Sequence, residues 1–470
     1  IPTNLLLTRL GPKIWLPLIT ATWGAVSMAS AAVIRGPLPF YLMRVLLGAA
    51  ESGCFPGMWW TCEQFYPPSH ITFAYSALEA AIAVAQIVAA PFAAALLAAD
   101  GVAGLEGWQA LFLAQGAITV AFAGLLYARL PNGVATAAFL DNEDRAWIAR
   151  QRALALQAAL NGADQLRGAA DGQCKELQLG ELARGAAPQH AGSAPEPSGA
   201  AAGDAARLLP AAHADSSGAA LPVSAAPPVL APLAQVAEAA CNPRLWYLVA
   251  LKVLKDVSLD SLVYWTPVLI HALLEGGTVS LGVKSDGDSA GERCGGKNAQ
   301  LRAVLLSLVP FGLAAAATLA IGHSSERSGE RRRHIGLPLL CGGVAFGLMP
   351  AFLHLGQLAA AFACVAVAVI AADATTGPFW SLVLSAARPG TSAVALAAVN
   401  SLGKLGGAAG PASFGLLSYY TGSLRGPILF VACALLGAGV LALAYRHDYG
   451  APRHDAEEEV EAPLQGPVVT

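Results

Sequence analysis

The chain has 470 residues, of which 55% are hydrophobic and 13% charged, with a formal net charge of −3. An ordinary soluble domain carries roughly 25% charged residues, so this composition excludes a soluble globular protein and describes an integral membrane protein. The eight cysteines are scattered with no CxxC pair, so no metal or disulfide framework is indicated.

Apolar runs near the length of about 20 residues that a bilayer demands occupy 15–34, 39–65, 74–98, 109–130, 244–274, 301–321, 335–355, 358–383, 391–420 and 427–445. They predict ten spanning helices, because barrel strands would alternate over segments of about ten residues. Arg9 and Lys13 precede the first span, and Arg327, Arg331, Arg332 and Arg333 lie between the sixth and seventh. Asp100 and Glu106 occupy a loop of the opposite set. By the positive-inside rule the arginine-rich loops are cytoplasmic.

The second span carries Arg44 and Glu51 inside an apolar run. An ionisable group at the bilayer centre costs about 3 kcal/mol on insertion scales, and such groups face a cavity or a partner. At about 1.5 Å rise per residue, Arg44 lies roughly 8 Å into the helix and Glu51 roughly 18 Å in, near the midplane. The two share a face roughly 10 Å apart and are not each other's salt-bridge partner. Arg44 either lines a cavity or reaches the interface by snorkelling. Glu51 is too deep for that and is either a proton carrier or a structural hydrogen-bonded carboxyl.

On the third span, Glu79 and Gln86 share one face. Residues 131–243 separate four spans from six. Their Ala, Gly, Pro and Ser bias cannot bury a core, so they read as a mostly disordered cytoplasmic linker. A short surface helix is expected near Phe139–Ile148, capped by Asp141 or Asn142. Along 244–274, Lys252, Asp256, Asp260 and Tyr264 recur every four residues and form one polar face. Either it lines a cavity or Lys252 and Asp256 neutralise each other. Asp373 precedes Gly377-Pro378, where a broken helix is expected to expose backbone groups. Lys404 is a cation at bilayer depth, with Asp373 or another acid as a possible structural partner. The glycines at 403–410 lack the phosphate-loop spacing and read as close helix packing. The tail from 446 to 470, with Glu457 to Glu459, is expected to be solvated.

Short repeats relate the halves. Arg9, Gly11 and Lys13 match Arg327, Gly329 and Arg331 in order and spacing, and Pro91 to Gly101 echoes Pro411 to Gly422. Parallel six-helix repeats are a transporter architecture. With six spans in the second half, the first is short by about two. The chain begins with isoleucine inside the first copy of the loop motif, and truncation of the first helix and most of the second is expected.

These features resemble the major facilitator superfamily. Arg44 to Gly57, Tyr66-Pro67, the run from Asp100 through Trp108 and Phe112 to Gly116, Tyr264-Trp265-Thr266-Pro267, Gly377-Pro378-Phe379-Trp380 and Asn400 to Pro411 are similar to its anion:cation symporters. The allantoate, nicotinate and pantothenate permease-like branch is the nearest match. The resemblance implies an all-α membrane protein of two six-helix bundles, at 1–130 (incomplete) and 244–445, joined by the linker. It implies symport of a small anion with protons, or with sodium, by alternating access. Arg44 matches the family's substrate-site arginine and Glu51 its protonatable carboxylate. Asn400, or the position of Lys404, matches a polar position near the substrate. The family has asparagine where Lys404 stands and aspartate where Thr8 and Glu326 stand.

The expected function is proton-coupled uptake of a small carboxylate by a monomer, in the plasma membrane rather than an organelle. Arg44, Asn400, Lys404, Tyr264 and Gln86 would bind substrate and Glu51 would carry the proton. Arg9, Gly11, Glu326, Arg327, Gly329 and Arg331 would form a cytoplasmic gate. No cofactor, metal, nucleic acid or enzymatic chemistry is expected. An uncoupled facilitator or exchanger, and a non-transporting membrane sensor, are the alternatives.

Overall fold

The computed structural model describes residues 2–98, 101, 104–154, 232–274, 290–388 and 390–446. Among them the regular elements are helical. The first half contains α1 (Pro2–Leu10), α2 (Pro12–Val33), α3 (Pro37–Glu51), α4 (Cys54–Phe65), α5 (Ile71–Ala98) and α6 (Gly107–Arg129). Helix α7 covers 142–154. The second half contains α8 (Pro232–Ala240), α9 (Pro243–Leu274), α10 (Ala290–Ser328), α11 (Arg332–His354), α12 (Leu358–Ala374), α13 (Thr376–Ala386), α14 (Ser392–Thr421) and α15 (Arg425–Ala444). Eight described helical stretches are long and apolar enough to cross a membrane. The two further expected spans are helical as well: 39–65 is divided into α3 and α4, and 391–420 is α14, whose glycines, serines and Lys404 dilute its apolar character.

Two spans are broken, and proline explains both. Proline has no N–H to give the carbonyl four residues earlier. Pro56 therefore leaves Ser52 without its helical donor, and α3 ends at Glu51. Pro378 does the same to Ala374, and α12 ends there. In each case the proline is the third residue of the new segment, inside the first turn where a missing donor costs nothing. The second break lies at Thr375, slightly ahead of the expected Gly377-Pro378, because the effect of proline falls on its N-terminal side.

The halves repeat each other in geometry. Gly11 and Gly329, at φ +80° and +65°, turn the chain between consecutive helices in the two loop motifs. Gly101 and Gly422 adopt φ +84° and +58° just past α5 and α14, each of which carries an internal proline, Pro91 or Pro411. Helix α2 packs on α6 through Gly24 and Gly116, and α11 packs on α15 through Gly336 and Gly439. The loop motifs are less irregular than their sequence indicated. Residues 2–10 are already helical, with Asn4 and Leu7 buried one turn apart, and 322–328 belongs to α10.

The expected surface helix is α7, one turn longer than read from sequence. Asp141 Oδ1 caps it by accepting from the Asp144 N–H at 2.8 Å. Ile148 is buried, Trp147 meets His70 edge-on, and Arg152 donates to the Glu63 carbonyl. At the other end of the linker, α8 buries Gln235 and packs on α14, an element that the Ala/Pro bias concealed. Residues 155–231 and most of the tail, read from sequence as disordered linker and solvated tail, lie outside the described residues.

The seam between α9 and α14 runs alongside Lys252, Asp256, Asp260 and Lys404. A Cβ at Gly403 would overlap Lys252, at Gly406 the Val253 carbonyl, at Gly407 the Asp260 carboxylate and at Gly410 the Val257 carbonyl. Helix packing in membranes gains from such small-residue seams. Gly406→Ala should lower stability by about 1–3 kcal/mol, since backbone rather than a flexible side chain must yield. Gly124→Ala, where nothing lies within 4 Å, should be neutral; thermal unfolding of the two variants in detergent checks the contrast.

Candidate functional site

The halves are clasped at the arginine-rich end. Asn4 donates its side-chain amide to the Ala393 carbonyl at 3.1 Å, linking α1 to α14. Thr72 Oγ1 and Ser381 Oγ are 2.8 Å apart across α5 and α13. Trp59 of α4 and Trp380 of α13, which follow the two helix breaks, lie with ring centroids 3.7 Å apart. Ser76 nests against Gly322 and Gly377, where a side chain would overlap it. Glu326 Oε2 accepts the Phe73 N–H at 2.7 Å, an anion at the free donors of a helix N-terminus. Arg331 donates to the Pro68 carbonyl at 3.0 Å and to the Ser381 carbonyl at 3.3 Å. Gly11 and Gly329 supply the turns, whereas Arg9 and Arg327 project outward, exposed. Of the gate residues read from sequence, Glu326 and Arg331 thus reach the opposite half directly.

Deeper in, ionisable residues from both halves converge. Lys252 is ion-paired with Asp256 one turn along α9, both buried. Lys404 Nζ lies 3.1 Å from Asp260 Oδ2, which identifies its acid partner as Asp260 rather than Asp373. Its side chain is 55% exposed, so this pair is accessible where the first is not. Glu51, at the last position of α3, lies within electrostatic reach of Lys404, and Asp256 and Glu79 also act on that lysine. Asn400, half-buried, stands one turn before Lys404 on α14. Two of the sequence-predicted residues, Glu51 and Lys404, thus act on each other electrostatically across the halves.

The others sit further out. Arg44 is exposed, and its guanidinium lies over Phe40 at 5.1 Å and Phe112 at 5.8 Å. Cation–π contact of this kind is worth about 0.5–1 kcal/mol at an exposed site and holds the group in place without neutralising it. Tyr264 is one turn beyond Asp260 and 69% exposed, and Gln86 is exposed two turns beyond Glu79. Sequence reading passed over Lys255. It is fully buried, with Nζ donating to Thr376 Oγ1 at 2.6 Å. A stripe of strict four-residue spacing skips it, although positions 252, 255 and 256 share a helix face.

The family model described as Major Facilitator Superfamily matches residues 1–411. A quinolone resistance transporter of Acinetobacter baumannii is 27% identical over 93% of this chain and 79% of its own length. A putative tartrate transporter of Agrobacterium vitis is 25% identical over 94% of this chain and 77% of its own. The putative metabolite transport protein NicT of Pseudomonas putida is 33% identical over 32% of this chain and 34% of its own. Among solved structures, the proton:xylose symporter XylE bound to 6-bromo-6-deoxy-D-glucose covers 93% of this chain and 80% of that one at 14% identity, with a TM-score of 0.52, a likeness of fold alone.

The buried and accessible ion pairs should respond differently to substitution. Asp256→Ala leaves a buried ammonium without its partner and should cost about 3–5 kcal/mol, whereas Lys252→Met combined with Asp256→Ala should recover most of it. Asp260→Ala, at the accessible pair, should cost about 1 kcal/mol or less. Thermal unfolding of the purified variants measures all three.

Proposed function

The chain belongs to the major facilitator superfamily of multi-pass membrane transporters, a family of carriers rather than enzymes, and on that premise we propose that it carries a small carboxylate anion together with a proton by alternating access. The observation that carries this reading is Lys404: an exposed ammonium at bilayer depth, paired to Asp260 at 3.1 Å on its own half and faced by Glu51 from the other. An ammonium has three donors, so a substrate carboxylate can join or displace Asp260. Asn400 one turn away offers an amide to the same ligand. Arg44 supplies a second cation on the half that bears Glu51, and Gln86 and Tyr264 offer neutral hydrogen-bonding groups.

Coupling follows from charge. An ionised Glu51 attracts Lys404 and repels an incoming anion, and a proton on Glu51 removes both effects. Proton and anion therefore raise each other's affinity by the same factor, as linkage requires. The clasp made by Glu326, Arg331 and the tryptophan pair closes the end that the positive-inside rule assigns to the cytoplasm, while the Lys404 site stays accessible. That arrangement suits loading from outside, in the plasma membrane, by a monomer. A proton is the coupling ion of this reading, with sodium as the variant, and no resident cofactor is required.

The test is uptake into proteoliposomes holding the full-length protein, with and without an imposed pH gradient, over labelled carboxylates that include tartrate and a quinolone. Accumulation that follows the gradient is the expected result. Equilibration without accumulation would mean an uncoupled facilitator or exchanger, and binding without flux a sensor. Lys404→Ala should weaken apparent affinity roughly 10- to 150-fold, the equivalent of about 1.5–3 kcal/mol for a hydrogen bond to a charged group. Glu51→Gln should keep substrate exchange and lose gradient-driven accumulation.

A further inference from the structure

Lys255 has no part in the transport reading above, yet it is the most completely enclosed cation described. Its ammonium has three donors, and among the described residues the Thr376 hydroxyl is the partner that uses one. Asp373 from the last turn of α12 and Glu79 from α5 both act on it through space, and among the described residues neither makes an ion pair with a lysine. The backbone explains the gathering. Ser76 abuts Gly377 so closely that a Cβ there would overlap it, which draws α5 against the break between α12 and α13. Glu79 lies one turn along α5 from Ser76, and Asp373 one turn before Gly377. Asp256 Oδ2, buried nearby, also makes no hydrogen bond among the described residues.

The charges in this group do not balance. Five carboxylates, Glu51, Glu79, Asp256, Asp260 and Asp373, lie within electrostatic reach of three ammonium groups, Lys252, Lys255 and Lys404, while the Arg44 guanidinium sits apart from them, exposed against Phe40 and Phe112. Two uncompensated negative charges at bilayer depth are costly, and two protons remove them. One is the proton assigned to Glu51. We propose that Glu79 and Asp373, on either side of Lys255, share the second, forming a further proton site built across the two halves. It fills from the outer solution while the arginine-rich end is closed. Opening that end draws α5 away from α10, α12 and α13, admits water, and lets the same proton leave to the inner solution. The charged groups facing Glu79 are Asp373 on α12, Lys252 and Lys255 on α9, and Lys404 on α14. The only titratable neighbour of note on its own helix, Tyr75, donates to the Trp59 carbonyl.

The inference rests on the alternating-access part of the proposed function and is tested without substrate. Thr72→Cys and Ser381→Cys, whose hydroxyls are 2.8 Å apart when closed, report closure by disulfide trapping. The full-length chain is used, with its own cysteines replaced by serine and Glu51→Gln as background, so that the proton assigned to Glu51 does not contribute to the profile. Because the closed state binds the extra proton, it is favoured at low pH, and trapping, normalised at each pH to the oxidation rate of the same thiols in the urea-unfolded protein, should fall by up to about tenfold per pH unit as pH rises through the titration. Glu79→Gln should abolish that dependence and hold the clasp shut at high pH, and Asp373→Asn should do the same if the first variant fails to fold. A flat profile in the background protein, or an unchanged one in both variants, would overturn the second site. A failed uptake panel with a normal trapping profile would instead overturn only the substrate reading.

Discussion

Charge placed in a low-dielectric interior must be answered within a few ångströms, and in this protein the glycine run of α14 makes that possible. Without side chains at 403, 406, 407 and 410, α14 settles directly on α9. Lys404 then reaches Asp260, and α14 can lie beside the turn in which Lys252 meets Asp256. A bulkier seam would hold the helices apart and strand Lys404, whose acid partner lies on the facing helix. The packing that looks merely structural is thus the condition for keeping ionised groups at the centre of a bilayer, and those groups supply the chemistry on which the transport reading depends.

The second organising device is the pair of proline breaks. Each frees a short segment, α4 or α13, to approach its counterpart, and each segment brings one tryptophan to the seam between the halves. The same breaks fix two charged groups: Glu51 ends the helix before the first, and Lys255 is held by the threonine that opens the second. Closure at one end and charge at the centre are therefore joined by continuous short helices, a physical link between gate and site rather than two separate features.

Much of this was legible in the sequence, because apolar length and proline are local signals. Span positions agree with the helices to within a few residues for most elements, and the glycine turns of the loop motifs and of α5 and α14 recur where the repeats indicated. Partner choice was not legible. Nothing local to Lys404 distinguishes Asp260 from Asp373; the register between α9 and α14 decides it. The Trp59–Trp380 contact joins residues far apart in the chain, and Lys255 escaped notice because a periodic stripe drew attention to its neighbours. Helix α8 was hidden for the opposite reason, since alanine and proline looked like linker although proline is an ordinary first helical residue. Arg44, chosen for its charge, proves to rest on two aromatic rings, a partner class that charge counting does not consider.

The surplus of carboxylates over lysines has an energetic consequence for the cell. A singly charged anion moving with one proton carries no net charge, and its accumulation answers to the pH difference and the anion gradient alone. If two protons ride with it, each cycle moves one positive charge inward, and the membrane potential becomes a driving force. At 100 mV that is worth about 2.3 kcal/mol per charge, or roughly fiftyfold in the attainable concentration ratio. The charge imbalance around Lys255 would in that way decide whether the carrier is electrically silent or a current-generating scavenger.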